Sequence, residues 1–151
     1  MIDRDAKGRP RSGAVQCSRG FYQSRRSLRR GTAGPEPRLR QDIERHLWHL
    51  AAKELPPLVV AMAKLHCVPV TRVTVRNQRS RWGSCSRRGT ISLNWRIIQA
   101  PDHVRDYLIL HELMHLRQMN HSARFWKEVA TVCPEYEKAE LWLKAHSSLL
   151  R

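Results

Sequence analysis

The sequence predicts an α+β fold: a small antiparallel sheet packed against one helix that carries the candidate site, with additional helices around it. Three observations carry this. Residues 72–94 alternate apolar and polar side chains at strand period and contain a glycine turn. Residues 107–116 are apolar almost all round a helix and hold His111-Glu112-Leu113-Met114-His115. Apolar residues at helical spacing flank these blocks, whereas the first forty residues contain few.

Residues 1–38 read as a basic arm. Gly8, Pro10, Gly13, Gly20, Gly31, Gly34, Pro35 and Pro37 punctuate it, and Ser and Arg fill it. Such a segment buries too little surface to offset its ordering entropy, so disorder is expected. Val15, Phe21, Tyr22 and Leu28 offer at most one weak strand.

Residues 39–151 read as the folded domain. Ile43, Leu47, Leu50 and Ala51 recur at helical spacing behind Asp42 and Glu44. Pro56-Pro57 is expected to end or kink this helix, and Leu58, Val59, Ala61, Met62 and Leu65 continue a second stretch to about His66. Val73 and Val75 alternate with Arg72, Thr74 and Arg76. Residues 81–85 and 90–94 flank Ser86-Arg87-Arg88-Gly89, a loop whose glycine suits a hairpin.

Pro101 suits the first position of the next helix, where its missing N–H costs nothing. That helix is expected to reach Met119. Asn120 then tolerates a left-handed or otherwise non-helical conformation that ends it and swings His121 back. A helix carrying Phe125, Trp126, Val129 and Val132 follows until Pro134. A last one carries Tyr136, Leu141 and Trp142 to near Leu150.

Two histidines four apart lie one above the other on a helix and can grip one ion together. A glutamate beside the first is placed to take a proton from water, which is the H-E-x-x-H pattern of zinc hydrolases. His121 extends it to H-E-x-x-H-x5-H. A catalytic zinc takes three protein ligands and keeps one open position. His111, His115 and His121 are the candidate ligands, and Glu112 the candidate general base. The apolar flanks Tyr107 to Leu110, Leu113, Met114 and Leu116 argue against a solvated surface helix, because buried imidazoles and a buried carboxylate need partners.

Composition bounds the remainder. The 151 residues suffice for one domain. No apolar run approaches the roughly 20 residues of a membrane span, and no secretory h-region is seen at the N-terminus. Cys17, Cys67, Cys85 and Cys133 form no C-x-x-C pair and no disulfide framework, so a cytoplasmic location is expected. Cys85 is a weaker metal candidate, since three histidines already suffice.

The net charge is +15, of which residues 1–40 supply +8. Residues 55–101 hold eight Lys and Arg and no acidic residue. An anionic partner, whether nucleic acid, nucleotide or acidic peptide, would account for this, and so would well-solvated strand edges. His66, His103, Tyr136 and several arginines are candidates for stabilising an oxyanion, and the sequence does not choose among them. Trp82 and Gly83 read as packing residues of a core hairpin, while Ser84 and Asn94 are open as groups behind the ligands.

Arg81-Trp82-Gly83-Ser84-Cys85, Ile91-Ser92-Leu93-Asn94, His111-Glu112-Leu113-Met114-His115 and Asn120-His121-Ser122 with Phe125-Trp126 occur in this order. Together they resemble the YgjP-like metallopeptidase domain, a zincin family related to the SprT-like zinc proteases. The match spans roughly residues 40–150. It implies a zincin-like core, with a small sheet beside an active-site helix. It also implies zinc held by His111, His115 and His121, Glu112 as base, and a peptide or protein substrate. Family members usually begin with a β-rich segment, where this chain has its basic arm. The spacing to the third histidine equals that of metzincins, but no methionine turn supports that reading. Two alternatives stand beside a zinc peptidase. One is a zinc hydrolase of an anionic non-peptide substrate such as a nucleotide. The other is a non-catalytic zinc module contacting nucleic acid.

Overall fold

A computed structural model describes residues 16–17 and 35–150. Most of the basic arm lies outside the described residues, and the expectation of disorder over residues 1–38 lies there with it, except that Gln16–Cys17 form a strand and a helix begins at Pro35, four residues ahead of the expected start of the domain at 39. The described chain is α+β. Strand β1 (Gln16–Cys17) and helix α1 (Pro35–Leu65) precede β2 (Arg72–Arg76), β3 (Gly83–Cys85) and β4 (Thr90–Asn94). A 3-10 turn over Trp95–Gln99 leads to α2 (Asp102–Met114), α3 (Ala123–Val132) and α4 (Tyr136–His146).

Helix α1 runs unbroken through Pro56 and Pro57, correcting the expectation that the prolines end it or divide it into two stretches. Each proline removes a helix N–H and costs about 3 kcal/mol in a helix interior. Ala51, Leu55, Val59 and Ala63 fall four apart and are all buried. Burying Leu55 and Val59 is worth about 1.5–3 kcal/mol each. That is the same order as the proline cost, and it holds the helix on course. Helix α1 packs on the 3-10 turn, on β2 and on α2.

The sheet order is β1-β2-β4-β3. The β3–β4 hairpin is antiparallel, with Ser84 opposite Ser92. Strand β2, however, joins β4 in parallel, Val73 opposite Ile91, so the sheet is mixed rather than antiparallel throughout. Strand β1 adds to β2, also in parallel. Alternation marks a half-buried strand but carries no direction. Strand β4 is central between β2 and β3, and Ile91 through Asn94 are all buried.

At the far end of β4, Asn94 closes a small lock. Its side-chain N–H2 donates to the Gln78 and Arg81 carbonyls (2.7 and 3.2 Å), and its Oδ1 accepts from the Arg96 N–H (3.2 Å). Its backbone N–H donates to the Trp82 carbonyl (2.8 Å). Asn94 thus fixes the loop that leads into β3. Among the described residues β3 is an edge strand of the sheet, and it packs on α2.

Pro101 sits one place earlier than expected, as the residue before α2. Its carbonyl accepts from the Val104 and Arg105 N–H groups (both 3.0 Å). Helix α2 ends at Met114, five residues short of the expected Met119. Leu116 and Arg117 donate back to Leu113 and Met114 in the tightened i→i−3 manner (both 3.0 Å).

Candidate metal centre

The two histidines of the H-E-x-x-H run straddle the end of α2. His111 lies in its last turn and His115 just beyond it, still with right-handed helical torsions (φ −61°, ψ −24°). Their i,i+4 relation therefore survives, with ring centroids 5.0 Å apart. His121 is brought back by the turn between α2 and α3. Its ring centroid lies 5.0 Å from that of His111 and 4.6 Å from that of His115. The chain leaves the helix before His121, as that return requires. Asn120 does so in a bend without a left-handed torsion, since Cys67 holds the one positive φ of a non-glycine among the described residues.

Ser122 caps α3 by accepting from the Phe125 N–H (3.4 Å), and this sets an aromatic floor. Phe125 is fully buried, with its ring centroid 4.9, 4.5 and 4.9 Å from those of His111, His115 and His121. Trp126 lies 5.8 and 5.9 Å from His111 and His121 and stacks on Tyr136.

The three imidazoles each offer a ring nitrogen, and these lie within 4.8 Å of one another. No other such cluster of three occurs among the described residues. His111 Nε2 and His121 Nε2 are 3.0 Å apart. Tetrahedral coordination at about 2.0–2.1 Å places two nitrogens roughly 3.3 Å apart, so the spacing fits a shared ion. Burial, with His115 and His121 nearby, depresses the His111 pKa to about 4. Burial lowers that of His115 too. Both are neutral at pH 7 and carry a lone pair. His115 Nδ1 faces the Gln118 carbonyl at 3.2 Å. A carbonyl only accepts, so the proton sits on Nδ1 and the lone pair on Nε2. His111 Nδ1 faces the Tyr107 hydroxyl at 3.3 Å, and that hydroxyl donates to Glu140 Oε1 at 3.0 Å. The donor set and its spacing fit a metal ion.

Glu112 is buried on the face toward β3. A Cβ added to Gly83 would lie 2.6 Å from Glu112 Oε1 and 2.7 Å from its Cγ. The carboxylate thus occupies space that only glycine leaves open. Burial pushes the Glu112 carboxyl up to about 7, with the nearby Arg81 charge opposing. Cys85 is raised to about 11 by burial and by Glu112. It stays a thiol and stands outside the histidine cluster.

The three candidate histidines therefore meet here, with Glu112 next to His111 on α2 and its carboxylate against Gly83, and three contributors had been missed or read as packing alone. Tyr107 could have been found, because it precedes His111 by four residues on the same helix face. Phe125 was visible as an apolar position but not as the floor under all three ligands. Gly83 could not have been assigned, since the contact with Glu112 joins residues 29 apart. Asn94 acts on the loop before β3 rather than behind the ligands. Of the oxyanion candidates, Tyr136 borders the aromatic floor through Trp126. His103 lies eight residues before His111, about 12 Å along α2.

The family model of the YgjP-like metallopeptidase domain matches residues 11–146. The crystal structure of the metallopeptidase zymogen of Pyrococcus abyssi abylysin is similar at 26% identity and a TM-score of 0.53, covering 63% of this chain and 94% of that one. The metallopeptidase zymogen of Methanocaldococcus jannaschii jannalysin shares the fold at 24% identity and a TM-score of 0.52, over 64% and 98% of the two chains. No curated protein sequence matches the chain.

Proposed function

Because the chain belongs to the YgjP-like metallopeptidase domain family, we propose that it is a zinc peptidase with His111, His115 and His121 as ligands and Glu112 as general base. The observation that carries this reading is the convergence of three imidazole nitrogens within 4.8 Å; Glu112, next to His111 in the chain, is buried. Bound zinc supplies Lewis acidity, polarising a carbonyl and making water a better nucleophile at neutral pH. Glu112 takes the proton that the attacking water gives up and delivers it to the leaving amine. Its raised pKa suits a group that must hold and release a proton near pH 7. Gly83 leaves room for that carboxylate, and Phe125 keeps water from the inner side of the imidazoles. Strand β3, an edge among the described residues, suits an extended peptide bound as an added strand, its backbone paired near Glu112.

A second reading is favoured by charge. Arg79, Arg81, Arg87 and Arg88 are exposed, and among the described residues none joins a salt bridge. They suit an anionic group, on an acidic peptide, a nucleotide or a nucleic acid. The basic arm of residues 1–38 would add to that attraction. The burial of Glu112 beside the cluster weighs against a non-catalytic metal module, which needs no base there. No helix among the described residues is long and apolar enough to cross a membrane. Cys67, Cys85 and Cys133 are unbridged, which suits a reducing cytoplasm.

Metal analysis joined to cleavage of a peptide library and a nucleotide panel tests the reading. Wild type should carry one zinc and cut peptides. Glu112→Gln should keep the zinc and lose about 10²–10⁴ in rate. Cleavage confined to nucleotides would replace the peptidase by a phosphohydrolase, and equal activity of the variant would remove Glu112 as base.

A further inference from the structure

The side chains behind His111 carry an assignment of their own. Tyr107 is buried one turn before His111, and its hydroxyl lies between Glu140 Oε1 (3.0 Å) and His111 Nδ1 (3.3 Å). A phenol has one proton, and an ionised carboxylate can only accept. The Tyr107 proton therefore goes to Glu140, and the phenol oxygen is left to accept from His111. The proton of neutral His111 must then sit on Nδ1. Its lone pair falls on Nε2, the nitrogen 3.0 Å from His121 Nε2. The reverse tautomer would place an N–H in the space where a cation has to sit, and would leave Nδ1 and Glu140 competing for one phenolic proton.

His115 achieves the same tautomer with a backbone carbonyl, that of Gln118. His111 depends instead on two side chains from different helices, Tyr107 on α2 and Glu140 on α4. Glu140 also brings negative charge behind the ligand. An acceptor of this kind orients a ligating imidazole and raises its basicity.

We propose that Tyr107 and Glu140 are a positioning pair that fixes His111 in the Nδ1–H tautomer and thereby ties the docking of α4 to metal affinity. The pair rests on the reading of His111 as a metal ligand. It touches neither substrate nor ion, and it acts through the imidazole alone.

Zinc competition against a chromophoric chelator, imidazole nitrogen NMR of the metal-free protein and thermal unfolding of the metal-free protein together test it. Tyr107→Phe removes both hydrogen bonds and keeps the ring. It should weaken zinc binding about 10–100-fold and turn the His111 signals from one tautomer to a mixture. Glu140→Gln keeps an acceptor and drops the charge, so its loss should be smaller. The double variant should bind no more weakly than Tyr107→Phe, because Glu140 acts only through the phenol.

Should Tyr107→Phe fail to fold, Glu140→Ala decides. The freed Tyr107 proton can then turn to His111 Nδ1 and drive the wrong tautomer, with loss of zinc affinity. A Tyr107→Phe protein that folds with wild-type zinc affinity and unchanged His111 signals overturns the pair, as do additive losses in the double variant. A wild type that binds no zinc removes the peptidase reading instead. The NMR of the metal-free protein still decides the tautomer in that case.

Discussion

At the scale of single residues, the site depends on an absence as much as on its ligands. Gly83 has no side chain, and the Glu112 carboxylate lies where one would be. Gly83→Ala would place a carbon 2.6 Å from Oε1 and 2.8 Å from Cδ, inside van der Waals contact. The neighbours of Glu112 on α2, Leu113 and Met114, are fully buried and cannot yield. The carboxylate must therefore swing away from the centre. Gly83→Ala should retain zinc, since no imidazole is touched, while hydrolysis falls by an amount approaching that of Glu112→Gln, about 10²–10⁴. Metal content and rate measured on the same preparation check this. Full activity with full zinc would mean that Glu112 needs no such clearance.

At the scale of elements, the turn between α2 and α3 decides whether three histidines become one site. Helix α2 stops at Met114, the turn carries His121 back, and Ser122 restarts the helix. An N-cap serine contributes about 1 kcal/mol. Ser122→Ala should therefore lower the melting temperature by roughly 2–4 °C in a chain of this size. It should also weaken zinc binding, because the residue before the cap is His121, the third ligand under the proposed function. Calorimetry beside a zinc titration separates the two effects, and a fall in melting temperature with unchanged affinity would show that the return of His121 is fixed elsewhere. The histidine cluster was legible in the sequence because local spacing puts His111 and His115 on one face, and His121 only had to follow a break. What local pattern could not supply was tertiary. The course of α1 through Pro56-Pro57 is set by the buried line Ala51, Leu55, Val59 and Ala63. The parallel pairing of β2 with β4 depends on which side of β4 the hairpin leaves free. Tyr107 and Glu140 are 33 residues apart and meet only when α4 docks on α2.

At the scale of the whole molecule, charge and chemistry are placed apart in sequence. The three histidines, Glu112 and the Tyr107–Glu140 pair lie within residues 107–140, whereas +8 of the net +15 falls in residues 1–40. The same chain that builds an aromatic-floored histidine cluster thus carries a basic segment with few apolar residues to pack. We expect that segment to bind anions and to leave the metal centre alone. Removing residues 1–34 deletes nine Lys and Arg against two Asp, a loss of +7. Affinity for a polyanion such as heparin should drop, and its dependence on salt should become shallower because fewer counterions are released. Zinc affinity should be unchanged, since every ligand and the Tyr107–Glu140 pair lie beyond residue 100. The removal also takes away β1, which pairs with β2 through Gln16 and Cys17. A two-residue strand offers few hydrogen bonds, each worth about 1 kcal/mol net, so the melting temperature should fall by only a few degrees. Heparin retention, zinc titration and calorimetry on the shortened chain make three separable readings. Retained heparin affinity would move the anion site to Arg79, Arg81, Arg87 and Arg88 beside the edge strand β3. A collapse of the fold would instead make the arm part of the sheet on which the metal centre rests.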